Sequence, residues 1–165
     1  ESLPITAAQG VRINLASLYF GSSKTKKALN MFEKWSGFQT KTAAEALVFG
    51  GSLSAVNGDY DKAVFYINRA ISLTSSPKES WYRRVAAIYI KMEDFTNASR
   101  VLLMLIEKYP TNISYWKQLS ASYYFSGDEK KSLSVMILAN EKKLIQTEKE
   151  VIELARLIAS KNITF

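Results

Sequence analysis

The chain has 165 residues, a formal net charge of +7, 47% hydrophobic residues and only three prolines. That composition excludes a disordered chain and leaves about one domain's worth of sequence, able to bury ~70% of its unfolded surface. Zero cysteines exclude disulfides and thiolate chemistry, and zero histidines remove the commonest metal ligand and general base.

Taken in order, apolar periodicity and end signals predict helices throughout. The first spans Ile5 to Phe20 with Gly21 as its stop, and its partner runs from Ser23 to Trp35, ending near Gly37. Thr42 and Glu45 form a capping-box pair opening a helix that closes around Asn57 and Gly58, and Asp59 to Leu73 make its partner. Ser76, Pro77 and Glu79 then supply a hydroxyl cap, a proline in the first helical position and a glutamate three residues after the cap. Tyr82, Val85, Ala86 and Tyr89 form the apolar stripe of that helix. Asp94 is placed to cap the next, which carries Phe95, Ala98, Leu102 and Leu105 and ends by Pro110. Asn112 starts a helix that stops at Gly127, and Asp128 to Leu144 complete the pair. Thr147 and Glu150 repeat the capping pattern before a last helix to Ser160.

These elements repeat. Shifting Ala86 by 35 residues gives Gly51 and then Ala16, while 34 the other way gives Ser120 and 35 more gives Ala155. Ala98 maps likewise onto Ala63, Ala28 and Ser132. Small residues at fixed intervals have one physical reason: two helices cross closely there, and a large side chain would push the backbones apart. Tyr19, Tyr89 and Tyr123 share the next equivalent place, where Ser54 breaks the pattern.

The period, the paired helices and these small residues resemble the tetratricopeptide repeat over residues 11 to 160. Trp116, Leu119, Tyr123, Gly127 and Asp128 carry the resemblance in one repeat, and Gly51, Gly58, Tyr60, Ala63 and Ala70 in another. It implies an all-α fold, a right-handed α-solenoid of antiparallel helix pairs. About four repeats are expected, over residues 5–37, 42–74, 77–110 and 112–145, plus a final unpaired helix over 147–160. Together they would form a single domain across residues 1–165, and a chain opening on Glu1 rather than Met reads as part of a longer protein. A narrower resemblance rests on Lys78 to Tyr82, Tyr109 with Pro110, Tyr115 to Leu133 and Leu144 to Leu157. These stretches are similar to the tetratricopeptide-repeat accessories of bacterial TonB–ExbB–ExbD energy-transducing systems. That likeness implies a periplasmic or envelope-associated scaffold with TonB, ExbB or ExbD components as partners, a cytoplasmic location being the alternative. It brings no catalytic residues and no cofactor.

The residues themselves offer little chemistry. All four aspartates, Asp59, Asp61, Asp94 and Asp128, fall in or beside turns, where carboxylates cap amides and oppose the helix dipole. Asn57, Asp59 and Asp61 lack the glycine and later glutamate of a calcium loop, so no metal site is expected. Gly50 and Gly51 have no phosphate-loop lysine nearby and read as close helix packing. The excess lysines, among them Lys24, Lys26, Lys27, Lys130, Lys131, Lys142 and Lys143, are scattered and read as solvated surface. An RNA-binding helical repeat of pentatricopeptide type is the alternative function, since that family shares the period.

A non-catalytic protein–protein interaction scaffold is therefore the leading reading. By analogy with the repeat family, first helices line a concave groove, and the candidate partner-binding residues are Ile13, Phe20, Val48, Phe49, Arg83, Arg84, Ile90, Lys117, Gln118 and Tyr124. The groove so drawn is apolar in its N-terminal half and basic in its C-terminal half. It suits a peptide or protein segment with acidic residues. The longest apolar runs are far shorter than the ~20 residues a transmembrane helix needs.

Overall fold

The computed structural model describes residues 14–33, 44–145 and 147, and their regular structure is helical. Residues 14–21 are helical (α1), followed by α2 (Thr25–Glu33), α3 (Ala44–Val56), α4 (Tyr60–Ser72), α5 (Glu79–Lys91), α6 (Phe95–Lys108), α7 (Ile113–Phe125) and α8 (Glu129–Glu141). The expected final helix over 147–160 lies outside the described residues, as do Thr42 and Ala155. Two compact units divide the chain, residues 1–81 and 82–165.

The turn joining α3 to α4, and its counterparts, show why the period is 34 or 35. The N–H of Gly58 donates to the carbonyl of Ala55 (3.2 Å) and that of Asp59 to Ser54 (2.9 Å), closing α3 through one left-handed residue, Gly58 at φ +85°. Asp59 then turns round and caps α4, its carboxylate accepting from the Lys62 N–H at 3.2 Å. The same device recurs at Glu93 and Asp94, and at Gly127 and Asp128, with Asp94 accepting from Asn97 and Asp128 from Lys131. In the first turn Ser23 takes the left-handed place at φ +59°. Gly21 is the last residue of α1, but the left-handed residue that reverses the chain is Ser23, not the glycine.

This turn also explains the exception at Ser54. What the shared place supplies is a backbone carbonyl, from Tyr19, Ser54, Tyr89 and Tyr123, to the residue opening the next helix, at 2.9 Å in all four. Any side chain can offer that. The capping box expected of Thr42 and Glu45 rests on Thr42, which lies outside the described residues; one oxygen of the Glu45 carboxylate pairs with the Lys78 ammonium. The helix expected from Ser76 and Pro77 begins at Glu79, and the Ser76 N–H instead donates to Thr74 Oγ1 at 3.3 Å.

The expected crossing points are buried. Ala16, Ala28, Ala63 and Ala98 are fully covered, and Ala86, Ser120 and Ser132 nearly so. In the first unit a Cβ added to Gly51 would stand 2.6 Å from Ile67 and 3.0 Å from the Ala63 carbonyl, so the α3 and α4 backbones are as close as glycine allows. Beside it the Phe32 ring of α2 fills the space a side chain on Gly50 would need, and it meets Tyr66 edge-on at 5.1 Å between centroids. Burial pushes the Tyr66 hydroxyl above its ordinary pKa. In the second unit serines replace the small apolar pair, and Ser120 Oγ lies 2.9 Å from Ser132 Oγ and 3.0 Å from its carbonyl. Two hydroxyls at a close crossing satisfy one another, so neither is left buried and dry.

Two predictions follow from these contacts. Gly51→Leu places a branched side chain against Ile67 and the Ala63 backbone and should lower stability by about 1–3 kcal/mol. Ser54→Ala, three residues along, removes a fully buried hydroxyl without a partner among the described residues and should cost nothing or gain up to about 1 kcal/mol. Chemical denaturation of both variants checks the contrast, and equal losses would contradict the packing. The second prediction concerns acid. A side-chain hydrogen bond to Lys131, and a backbone one, hold the Asp128 carboxyl below its ordinary pKa. A depressed carboxylate contributes stability above its unfolded pKa and loses it as pH falls through the folded one. The melting-temperature gap between wild type and Asp128→Ala should therefore be constant above about pH 5 and narrow below about pH 4.

Candidate functional site

In the second unit the turn between α5 and α6 sets the position of an aromatic wall. Asp94 accepts from the Asn97 backbone at 3.1 Å and its side-chain amide at 2.6 Å, fixing the start of α6 and with it Phe95. Asn112 caps α7 through the Ser114 N–H, and Trp116 Nε1 donates to the Pro110 carbonyl at 2.9 Å, anchoring the other end of the site. At the far end of α7, Phe125 stacks on Phe95 with centroids 5.5 Å apart and an interplanar angle of 25°. Tyr124 meets Phe125 edge-on at 5.6 Å.

These rings stand at the junction of two cavities. One, of about 520 Å³, is lined by Ile90, Glu93, Phe95, Gln118, Ala121, Ser122 and Phe125. The other, of about 230 Å³ between α7 and α8, is lined by Lys117, Ser120, Ala121, Tyr124, Phe125, Ser132 and Met136. Phe125 and Ala121 line both. The polar lining is largely spoken for within the protein: Ser122 Oγ donates to the Gln118 carbonyl at 2.8 Å, Gln118 Nε2 donates to Ser114 Oγ at 3.0 Å, and Ser120 bonds Ser132. The walls thus offer mainly apolar surface. Yet Tyr124 is 49% exposed and Phe125 66%, large rings left in water beside space that a partner's side chain could fill.

The expected partner-binding residues divide accordingly. Ile90, Lys117, Gln118 and Tyr124 each line one of the two cavities. Arg83 and Arg84 are exposed on α5 and line neither. In the first unit Phe20 is 38% exposed and meets Phe49 edge-on at 6.0 Å. Val48 is only 7% exposed and sits in the core, so it is not a surface residue; its place in the helix turns it inward beside Leu47. Ile13 lies outside the described residues. The sequence reading missed Glu93, Phe95 and Phe125. Phe95 was assigned to a core stripe, whereas it is half-buried at the cavity edge. Phe125 had a legible signal, because the last position of a first helix carries Lys91 one repeat earlier and an aromatic ring there has no core to enter.

Among the described residues no group of three histidine, cysteine, aspartate or glutamate side chains gathers to hold a metal ion, and no helix is long and apolar enough to cross a membrane. The site offers shape, apolar area and charge, suited to holding a side chain.

Comparison with known proteins agrees with the helix-pair architecture. Residues 44–77 match the tetratricopeptide repeat family. No curated protein sequence matches the chain. Among solved structures, a double mutant of MamA from RS-1 aligns with a TM-score of 0.71 at 19% identity, covering 93% of this chain and 85% of that one. MamA from residue 41 to its end, from Desulfovibrio magneticus RS-1, aligns at 0.65 and 17% identity, covering 94% and 97%. Naa15/Naa10 bound to HypK-THB gives 0.72 at 17% identity, covering 93% of this chain and 24% of the other. These likenesses establish the fold: an all-α solenoid of helix pairs carrying a tetratricopeptide repeat.

Proposed function

We propose that this chain is a non-catalytic protein–protein interaction module that holds a peptide or protein segment against α5 and α7. The observation that carries the reading is the exposed Tyr124 and Phe125 at the junction of two mainly apolar cavities. A partner's aromatic or aliphatic side chain placed there removes apolar area from water on both sides, and a ring of that size buries roughly 150–250 Å². The structural neighbour described as bound to HypK-THB supports a protein partner for this fold.

Charge supplies the orientation. Arg83 and Lys117 are each the fifth residue of their helices, 34 positions apart in the sequence. An acidic stretch of the partner belongs at that end, where each charge-assisted contact outweighs a neutral one. The likeness of residues 78–155 to TonB-system accessories makes the periplasmic segments of TonB, ExbB and ExbD the first partners to try, and the cell envelope the compartment of this proposal.

Arg83→Glu combined with Lys117→Glu should leave the helical signal intact, because charges at the surface, exposed at Arg83 and half-buried at Lys117, contribute only ~0–1 kcal/mol to folding. Binding of an acidic partner segment should weaken at least about tenfold, or ~1.4 kcal/mol, and the loss should shrink as salt rises. Titration of labelled segments into both proteins reads this out. Unchanged binding by the folded double variant would move the site elsewhere. A salt-sensitive shift of RNA in place of peptide binding would favour the RNA-reading alternative.

A further inference from the structure

The larger cavity extends from Gln118, next to Lys117, to the end of the surface away from Arg83. Ile90 is one residue from the end of α5, Glu93 follows it, Phe95 opens α6 and Phe125 closes α7. Helix C-termini carry partial negative charge; those of α5 and α7 finish here, and the N-terminus of α6, which starts here too, is capped by the Asp94 carboxylate. Ten residues separate Arg83 from Glu93, eight of them in α5 at ~1.5 Å each, so the span is about 12–15 Å. The surface is thus basic at one end and acidic at the other.

Glu93 is the acid among the described lining residues, and its carboxylate makes no ion pair among them. Its backbone is held at φ +59°, where the equivalent turns use Gly58 and Gly127. Glycine enters that region freely and a side chain does not. Ser23 and Lys143 adopt it too, so conformation alone does not single Glu93 out. What does is its place as an exposed acidic residue at the rim of a cavity that Ile90, Phe95 and Phe125 also line. Covering that cavity with an uncharged ligand would strip water from the carboxylate and give nothing back, whereas a cation would satisfy it. Lys91, in the last turn of α5, is exposed and is not among the cavity's lining residues.

We infer that Glu93 determines specificity in this cavity, selecting a partner segment in which a lysine or arginine neighbours the apolar anchor side chain. This rests on the peptide-binding reading and deepens it. The anchor sits against Phe95 and Phe125, the ammonium or guanidinium against the Glu93 carboxylate, and the acidic stretch towards Arg83. About 12–15 Å is spanned by four or five extended residues at ~3.3 Å each, so the ligand is a short dipolar segment, acidic then apolar then basic or its reverse.

Selection of displayed random peptides on the wild type, Glu93→Gln and Phe125→Ser, each checked for its helical signal, tests this. The wild type should enrich peptides with lysine or arginine within two residues of a large apolar residue. Glu93→Gln should retain the apolar preference and lose the basic one. An enriched peptide should bind Glu93→Gln about tenfold more weakly, the weight of one hydrogen bond between charged groups. The same peptide with norleucine in place of the basic residue should lose its preference for the wild type and bind Glu93→Gln at least as tightly, since the amide costs less to desolvate than the carboxylate. If Glu93→Gln keeps the basic preference while Phe125→Ser abolishes enrichment, the role of Glu93 is overturned and the surface stands. If nothing is enriched on the wild type, or Phe125→Ser changes nothing, both readings fall.

Discussion

The structure depends on how closely paired helices approach at their small residues. Where a Cβ on Gly51 would stand 3.0 Å from the Ala63 carbonyl, no ordinary side chain can intervene. The stripes of α3 and α4 can therefore meet in only one register. The same constraint is met differently in the second unit, where Ser120 and Ser132 hydrogen-bond at the crossing. Glycine with alanine and serine with serine solve one steric problem, and the second solution is open only because each hydroxyl finds the other. Ser54, buried one turn away without such a partner, shows what a lone hydroxyl in the same neighbourhood becomes.

A close crossing needs a short, reproducible connection. One left-handed residue followed by an aspartate provides it: the first closes a helix and the second caps the next without a residue between them. Economy of this kind leaves room for very few side chains in the turn, and at the α5–α6 turn one of them is Glu93. It also places the residues flanking the turn, Ile90 before it and Phe95 after it, at the mouth of a cavity. The turn that organises the fold therefore also builds the wall of the candidate site.

Whatever the repeat constrains was legible in the sequence. The small-residue series located Gly51 with Ala63 and Ser120 with Ser132 at their crossings, and the reading of the aspartates as caps holds for Asp59, Asp94 and Asp128. The reading went astray where two signals compete. Gly21 ends α1, but the left-handed residue that reverses the chain there is Ser23, not the glycine. Glu45 pairs with a lysine 33 residues away, a contact between distant positions that no local pattern announces. Val48 sits beside Phe49 on a helix whose faces are nearly all apolar, and periodicity alone does not distinguish the outward-facing residue from the buried one.

The same logic says where function is to be sought. Positions held by crossing or capping are not free to vary in response to a partner, because each has a neighbour fixed within a few tenths of an ångström. Phe125 and Glu93 are different. Neither is needed to close its turn: an exposed ring adds little to the core, and glycine would serve the backbone better at position 93 than glutamate does. Ser23 and Lys143 stand in the same left-handed place, so what sets Glu93 apart is its position on the edge of a cavity. The repeat supplies the rigidity that gives such a residue a fixed direction, and the residue supplies the selectivity that the repeat itself lacks.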